Sequence, residues 1–327
     1  MVIAVDAVGG DHYPENPVSG GVQALKEMPD LELLFVGPEN LIKEELNKHE
    51  YDSDRVDILH APQIISMEDS ASSVLKEKKD SSITLGLQSH KDGKCHGFVS
   101  AGHTGALLTA STVFLGKIEG IYRPTIAAIF PTVRGVRILI DAGANLTLKE
   151  EMYYQFAVMG KIFTEEILKV ENPRIGLLNV GEESEKGTEL LKNSYLKLQQ
   201  LDNFVGNIEG KDILPAKADV FLTDGFTGNV LLKFGESIPE VLQRMVKEQL
   251  DAINADPELQ KQVFHILTKA MHTFDYEQIG GVPFLGVNGV SFVGHGSSSP
   301  LAIKNMIKSA VQCVDHEVNK KIKASLN

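Results

Sequence analysis

Short apolar runs rich in β-branched residues alternate along most of the chain with segments whose apolar residues recur at helical spacing. This alternation is typical of βα units, in which helices cover a largely parallel sheet. It predicts an α/β protein with three layers, α/β/α, around a mixed, mostly parallel sheet. The predicted strands lie near residues 1–6, 31–36, 56–60, 96–100, 125–131, 136–141, 174–180, 203–208, 218–223 and 290–294.

One connection cannot be a crossover between parallel strands. The runs 125–130 and 136–140 are separated by only five residues, Pro131 to Gly135. A parallel pair needs a crossover of a dozen or more residues, whereas an antiparallel pair closes through a short turn. We therefore predict an antiparallel hairpin here, which makes the sheet mixed.

A second exception is a predicted helical hairpin inserted at about residues 236–280. Asn254 to Pro257 ends one amphipathic helix and begins the next, with Pro257 in a first-turn position. The hairpin either packs on the sheet or projects to meet a partner subunit, a carrier protein or a membrane surface. Its two apolar stripes consist of Val241, Leu242, Met245, Val246, Leu250 and Ile253, and of Leu259, Val263, Ile266, Leu267, Ala270 and Phe274.

Composition narrows the class of protein. With 327 residues, 43% of them hydrophobic, the chain suits one large α/β unit or two intertwined lobes. The formal charge of -12 argues against nucleic-acid binding, which needs a basic surface. Any acidic partner must therefore meet a local basic patch.

Cellular context follows from further features of the sequence. The distant pair Cys95 and Cys313 supports neither a disulfide framework nor a zinc site. The chain begins on a strand-like run without a secretory pattern, and no apolar run is long enough to span a membrane. We expect a cytoplasmic protein.

Six Gly-rich polar loops follow predicted strands. In an open α/β sheet, ligands bind outside the carboxyl ends of the strands, where Gly allows the backbone to approach closely. The six loops therefore predict a ligand site. They are Asp6-Ala7-Val8-Gly9-Gly10-Asp11-His12, residues 100–106, Asp141-Ala142-Gly143-Ala144-Asn145, residues 179–188, residues 223–229 and residues 294–300.

Two of these loops share the pattern Gly-x-Thr-Gly-x followed by an apolar helix, at residues 102–108 and 225–231. The pattern places Thr104 and Thr227 at or near helix N-caps, where backbone N–H groups and the helix dipole favour an anion. Lys186, in the long polar loop, could add a positive charge. The alternative is that both loops are ordinary well-capped turns.

Other chemistries lack support. The glycines match neither the dinucleotide fingerprint nor the P-loop, and the 296–300 segment is not a hydrolase elbow. Its serines suit hydrogen bonding to phosphate. His103 and His295 could donate to an anion or protonate a leaving group, or could be structural. The carboxylates of Asp6, Asp11, Asp141 and Asp224 are expected to cap turns rather than to hold a metal.

Taken together, the loops resemble the PlsX-type phosphate acyltransferases of bacterial phospholipid synthesis. The resemblance covers the whole chain in order, and one departure is His103, where the family usually has Asn. The motifs that carry it are Val5-Asp6-Ala7-Val8-Gly9-Gly10-Asp11, Gly102-His103-Thr104-Gly105-Ala106, Asp141-Ala142-Gly143-Ala144-Asn145, Asn179-Val180-Gly181-Glu182-Glu183, Asp224-Gly225-Phe226-Thr227-Gly228-Asn229-Val230 and His295-Gly296-Ser297-Ser298.

The resemblance implies an enzyme that converts fatty acyl-[acyl carrier protein] and inorganic phosphate into acyl phosphate and free carrier, without a cofactor. It also implies a fold similar to the phosphotransacetylases and the isocitrate/isopropylmalate dehydrogenase-like group. The family suggests a homodimer that associates peripherally with the membrane and passes its product to a membrane glycerol-phosphate acyltransferase. Two alternatives are a short-chain phosphotransacetylase acting on acyl-CoA and a non-catalytic metabolite-binding regulator.

For such a reaction phosphate is the nucleophile, so the enzyme must orient an anion and stabilise an oxyanion. We predict catalytic roles for Lys186, Asn229, His103 and His295, with a His or Lys assisting the departing thiolate. The predicted phosphate ligands are Gly102, Thr104, Gly105, Thr227, Gly228, Ser297 and Ser298. The supporting loop residues are Asp6, Gly9, Gly10, Asp11, Asp141, Asn145 and Asp224.

Overall fold

The computed structural model describes residues 1–271, 277 and 280–326. Within them, one sheet of eleven strands runs through the centre of the molecule. Its strands are β1 (Val2–Asp6), β2 (Glu32–Gly37), β3 (Val56–His60), β4 (Gly97–Ser100), β5 (Thr125–Thr132), β6 (Gly135–Ile140), β7 (Ile175–Leu178), β8 (Phe204–Ile208), β9 (Val220–Leu222), β10 (Val282–Leu285) and β11 (Val290–Val293).

The strand order is β3-β2-β1-β4-β11-β10-β5-β6-β9-β7-β8. On one side, β3, β2, β1, β4 and β11 pair in parallel, and on the other side β6, β9, β7 and β8 do. Between them, β10 is antiparallel to both β11 and β5, and β5 is antiparallel to β6. The two sides therefore run in opposite directions, and the predicted hairpin and mixed sheet are confirmed.

All ten predicted strands are present, but β10 was missed. Pro283 interrupts its short apolar run, and Pro normally argues against a central strand because it cannot donate to the ladder. Here Pro283 lies opposite Phe292 of β11, while Phe284 pairs with Ile126 of β5. The strand is therefore divided between two neighbours, with Pro283 in the half that pairs with β11.

Helices cover both faces of the sheet, as the three-layer prediction requires. Ile3 and Val5 belong to one buried cluster and Ala4 to another, because successive side chains of a strand point to opposite faces. The helices are α1 (Glu15–Glu27), α2 (Glu39–Leu46), α3 (Ser73–Lys76), α4 (Ser82–Lys91), α5 (Thr104–Phe114), α6 (Glu150–Glu166), α7 (Glu189–Leu198), α8 (Gly225–Ala252), α9 (Pro257–Ala270), α10 (Pro300–Asp315) and α11 (Val318–Leu326).

Ion pairs of Asp219 with two arginines hold the start of β9. The buried carboxylate of Asp219 accepts hydrogen bonds from Arg137 of β6 at 2.6 Å and from Arg174, just before β7, at 2.9 Å. Burial alone would raise the pKa of Asp219, but its hydrogen bonds to Arg174 and the charges of both arginines leave that pKa below its ordinary value. These contacts connect β6, β9 and β7 at the end opposite the Gly-rich loops.

The 236–280 segment differs from the prediction at its start. The first helix does not begin near residue 236, because α8 runs without a break from Gly225 to Ala252 and contains Pro239. The second helix begins as predicted at Pro257, where the Asp256 side chain accepts from the Leu259 N–H at 2.9 Å. Phe274 lies outside the described residues. No helix in the described part of the chain is long and apolar enough to cross a membrane.

Candidate active site

Two of the Gly-rich loops meet around the buried carboxylate of Asp6. It accepts a hydrogen bond from Ser100 Oγ at 2.6 Å and one from the Val8 N–H, and Ser100 Oγ in turn accepts from the Gly102 N–H at 3.0 Å. Burial raises the pKa of Asp6, although its hydrogen bonds, with that of Ser100 first, act in the opposite direction. Asp6 thus connects the ends of β1 and β4.

Glycine is required where the first loop passes its neighbours. A Cβ atom on Gly9 would lie 2.7 Å from Asp6 Oδ2 and 2.9 Å from the Gly102 nitrogen. Gly10 has a φ of +99°, and the next residue, Asp11, donates its N–H to the Gly296 carbonyl at 2.7 Å. Loops 6–11, 100–105 and 294–299 therefore form one packed unit.

In the other half of the sheet, which contains β6, β9, β7 and β8, the Asp141 side chain fixes the loop after β6. Its buried carboxylate accepts the N–H groups of Ile126, Ala144 and Asn145, and also the side-chain amide of Asn145. Burial raises the pKa of Asp141, and these hydrogen bonds partly oppose the rise. The Asn145 amide also donates to the Pro124 carbonyl at 2.9 Å. The loop is thereby fixed to the start of β5.

Helix α8 begins directly on this loop. Gly225 donates its N–H to the Asn145 carbonyl at 2.8 Å. A Cβ atom on Gly225 would lie 2.7 Å from that carbonyl oxygen, and one on Gly228 only 1.9 Å from the Asp141 carbonyl oxygen. The spacing Gly-x-x-Gly therefore allows the first turn of α8 to rest on the backbone of the loop.

Both threonines lie near helix N-caps, as predicted, but neither is the capping residue. The N-caps are His103 and Asp224, so Thr104 and Thr227 lie one and three residues inside their helices. His103 Nδ1 accepts the Ala106 N–H, and Asp224 accepts both the N–H and the hydroxyl of Thr227. The N-terminus of α8 is therefore capped by the Asp224 carboxylate, and the Thr227 hydroxyl donates to the same carboxylate.

A cavity of about 480 Å³ opens between α5 and α8, over β5, β10 and β11. One end is polar and contains four of the predicted site residues. Asn229 lies beside Gly143, whose φ is +113° and whose missing Cβ would be 3.5 Å from Asn229 Oδ1. The residues that form this polar end are Thr104, Gly143, Asn229, His295 and Ser297.

The rest of the cavity is mainly apolar, with Lys233 and Glu236 also on its wall. Ile126, Ala128 and Phe130 alternate along β5 and so share one face of the strand. The Gly-rich motifs do not predict this apolar part, because its residues come from strands and from the middle of α8. Other apolar side chains on the wall include Leu232, Val282 and Val293.

The predicted site residues fall into several groups. Thr104, Asn229, His295 and Ser297 line the cavity. Lys186 does not line it and is exposed in the loop after β7, so its catalytic role stays a prediction. Ser298 is buried, and its hydroxyl has no hydrogen-bond partner among the described residues. The remaining residues do not line the cavity and lie in the Gly-rich loops, at the end of β1 or in the first turns of α5 and α8: Gly102, His103, Gly105, Thr227, Gly228, Asp6, Gly9, Gly10, Asp11, Asp141, Asn145 and Asp224.

His295 has a defined tautomer when neutral. Its Nδ1 atom accepts the Ser297 N–H at 3.3 Å and lies 2.8 Å from Ser297 Oγ, so the ring proton is on Nε2. The described residues contain no group of three or more His, Cys, Asp or Glu side chains that could hold a metal ion. The site presents N–H, hydroxyl and amide groups, which suit an anion.

The fold of the chain is similar to that of solved phosphotransacetylases. The EutD phosphotransacetylase from Staphylococcus aureus superposes with a TM-score of 0.61 at 13% identity, covering 96% of this chain and 94% of that one. A phosphotransacetylase from Streptococcus pyogenes gives 0.62 at 16% identity, with coverage of 96% and 94%. At these identities the likeness shows the fold alone.

Sequence similarity identifies the family. Residues 1–321 match the family described as fatty acid synthesis protein, and the chain belongs to it. The phosphate acyltransferase of Halothermothrix orenii is 43% identical over 330 residues, which cover 100% of this chain and 99% of that protein. The phosphate acyltransferase of Acetivibrio thermocellus is 43% identical, with coverage of 99% and 96%.

The close approach of α8 to the Asp141 loop gives a test of the geometry. We expect Gly228→Ala to lower the free energy of unfolding by about 1–3 kcal/mol, because its methyl group would overlap the Asp141 carbonyl and force the two backbones apart. Urea unfolding measures this loss. Gly210→Ala is the matched control, since nothing lies within 4 Å of its added Cβ. Equal stability of the two variants would contradict the docking.

Proposed function

We propose that the chain transfers a long-chain fatty acyl group from an acyl carrier protein thioester to inorganic phosphate, and so makes acyl phosphate for phospholipid synthesis. The observation that carries this proposal is the cavity, because its wall combines polar groups that suit an anion with apolar side chains that suit an acyl chain. A long acyl chain needs such an interior, since each buried methylene gains about 0.8 kcal/mol. The family and the names of its curated relatives support the same reaction.

In the proposed mechanism, phosphate lies at the polar end between the start of α5 and Asn229. There the backbone N–H groups near Thr104 and the Asn229 amide orient it toward the thioester carbonyl. Attack forms a tetrahedral oxyanion, and its collapse releases the carrier thiolate. His295 carries its proton on Nε2 when neutral, so it can donate a hydrogen bond to the developing negative charge.

Two other functions would use the same polar end. A short-chain phosphotransacetylase acting on acyl-CoA would not need the apolar interior formed by Ala128, Phe130 and Val282. A non-catalytic regulator would bind phosphate or an acyl chain without turnover. The apolar interior favours the long-chain enzyme over the first alternative, and turnover separates it from the second.

The direct test is incubation with a long-chain acyl-carrier thioester and phosphate, with acyl phosphate trapped as the hydroxamate. We expect turnover by the natural protein, and a loss of about 100-fold in kcat/KM for Asn229→Ala because one aligned donor to the transition state is removed. The rate of Lys186→Ala is compared with that of Asn229→Ala, since Lys186 is a predicted catalytic residue that is exposed outside the cavity. If the natural protein yields no hydroxamate, or if Asn229→Ala keeps its full rate, this assignment fails.

The apolar interior predicts a change in chain-length preference. Val282 lines the cavity from β10, and Val282→Phe would shorten the space available to the acyl chain. We expect kcat/KM to fall for long acyl-carrier thioesters by about tenfold or more, with short ones much less affected. Val205→Phe is the control, because Val205 is an exposed residue of β8 outside the cavity. A uniform effect on all chain lengths would argue against an acyl cavity.

We also propose that α8 and α9 form the contact surface of the protein, either with a second copy in a homodimer or peripherally with a membrane, where acyl phosphate passes to a glycerol-phosphate acyltransferase. The support is a set of exposed apolar side chains on these helices. Such a surface normally meets another surface. Its residues include Val241, Leu242, Met245, Ile253, Leu259 and Ile266.

One double variant separates the two contacts. Met245→Asp with Ile266→Asp should lower binding to anionic liposomes in flotation assays if α8 and α9 contact lipid. The same variant should run as a monomer in light scattering if these helices form a dimer interface. Replacing two exposed glutamines of the same helices, Gln243→Asp with Gln262→Asp, controls for the added acidic charge. Unchanged flotation and unchanged mass would remove α8 and α9 from both roles.

A further inference from the structure

A second cavity, of about 470 Å³, lies along α5 beside the first. Its wall includes Leu108, Thr109 and Thr112 of α5, together with Ala144 and Asn145 of the loop after β6. Leu108 is one helical turn from Thr104, which lines the first cavity, and Ala144 follows Gly143, which also lines it. The two cavities therefore adjoin across the polar end of the site.

The outer rim of this second cavity is basic and partly apolar. Lys117 and Arg123 line it, and both are exposed. Lys117 donates to the Tyr122 carbonyl at 2.8 Å, which fixes the segment that carries Arg123. The Arg123 guanidinium has no hydrogen bond or ion pair with any residue of the described ranges. Two apolar side chains on the wall, Val113 and Tyr122, are also exposed.

The basic charge of this rim is opposite in sign to the net charge of the chain. The sequence has 44 acidic and 32 basic residues, so its long-range field repels anionic partners. A partner with negative charge must therefore dock where cations face solvent without a carboxylate partner, and Arg123 meets that condition. Exposed apolar side chains beside a charge favour a protein partner, because a small free anion makes no apolar contacts with them.

We propose that the second cavity receives the phosphopantetheine arm of the acyl carrier protein, with its phosphodiester at Arg123 and Lys117. This inference rests on the proposed function and extends it to the way the carrier docks. Thr104 and Thr112 are separated by about 12 Å along the helix axis at 1.5 Å per residue. An extended arm entering at the rim thus delivers its thioester to the polar end, while the acyl chain continues into the first cavity.

The shape of the site supports this division. The first cavity is lined by Ala128, Phe130 and other apolar side chains, which suit an acyl chain. The second has the hydroxyl of Thr109 on its wall, which suits the amide groups of a pantetheine arm. The carbonyl to be attacked then lies between them, next to Gly143 and Asn229.

The test compares binding and catalysis in the same variants. We expect Arg123→Glu to lower kcat/KM for the acyl-carrier thioester by about tenfold or more, mainly through KM, with the KM for phosphate unchanged. Calorimetry should show that holo-carrier, which has the arm, binds the natural protein more tightly than apo-carrier, and that Arg123→Glu removes this difference. Added salt should weaken holo-carrier binding by the natural protein more than holo-carrier binding by the variant.

Two further variants make the result specific. Arg134→Glu is the matched control, because Arg134 is exposed in the turn between β5 and β6 and lines neither cavity. Thr109→Trp should fill the second cavity and lower holo-carrier binding while apo-carrier binding stays the same. An unchanged KM in Arg123→Glu, or equal binding of holo- and apo-carrier to the natural protein, overturns the proposal.

The outcomes also separate this inference from the proposed function. If the natural protein makes acyl phosphate and Arg123→Glu behaves like the natural protein, only the docking proposal fails. If the natural protein makes no acyl phosphate but binds holo-carrier more tightly than apo-carrier through Arg123, the docking proposal stands and the reaction fails.

Discussion

The buried carboxylate of Asp141 is the contact on which the site depends. It accepts four hydrogen bonds from the strand and loop around it, and each buried donor left without a partner would cost about 1–3 kcal/mol. The loop that it shapes carries Gly143 beside Asn229 and gives α8 its resting place through Gly225 and Gly228. Both cavities share this loop, so its position sets the distance between them.

The two buried aspartates have equivalent structural roles on opposite sides of the sheet. Asp6 joins the ends of β1 and β4, and Asp141 joins the end of β6 to the start of β5. Both lie behind the cavity wall and accept hydrogen bonds from neighbouring groups, which suits a bracing role better than proton transfer. The polar end then consists mainly of N–H, hydroxyl and amide groups, which can hold an anion without covalent chemistry.

Much of the fold could be predicted from the sequence because its signals are local. Apolar periodicity located ten strands, and the five-residue connection after Phe130 identified the hairpin. β10 was missed because Pro283 breaks its local signal, and only the neighbouring strands make it a strand. The start of α8 near Thr227 was predicted, but its continuity was missed for a similar reason: Pro239 argues against one unbroken helix, since it removes one hydrogen bond and crowds the preceding turn.

The site was predictable only as far as it consists of loops. The Gly-rich motifs located Thr104, Asn229, His295 and Ser297, but the floor of the cavity comes from residues that read as ordinary core, such as Ala128 and Phe130. That floor forms where β10 runs antiparallel to both of its neighbours and the sheet changes direction. Loops from the two oppositely directed halves then face each other across α5 and α8. The reversal thus brings polar groups from both halves to the wall of a largely apolar cavity, which is the arrangement that the proposed reaction requires.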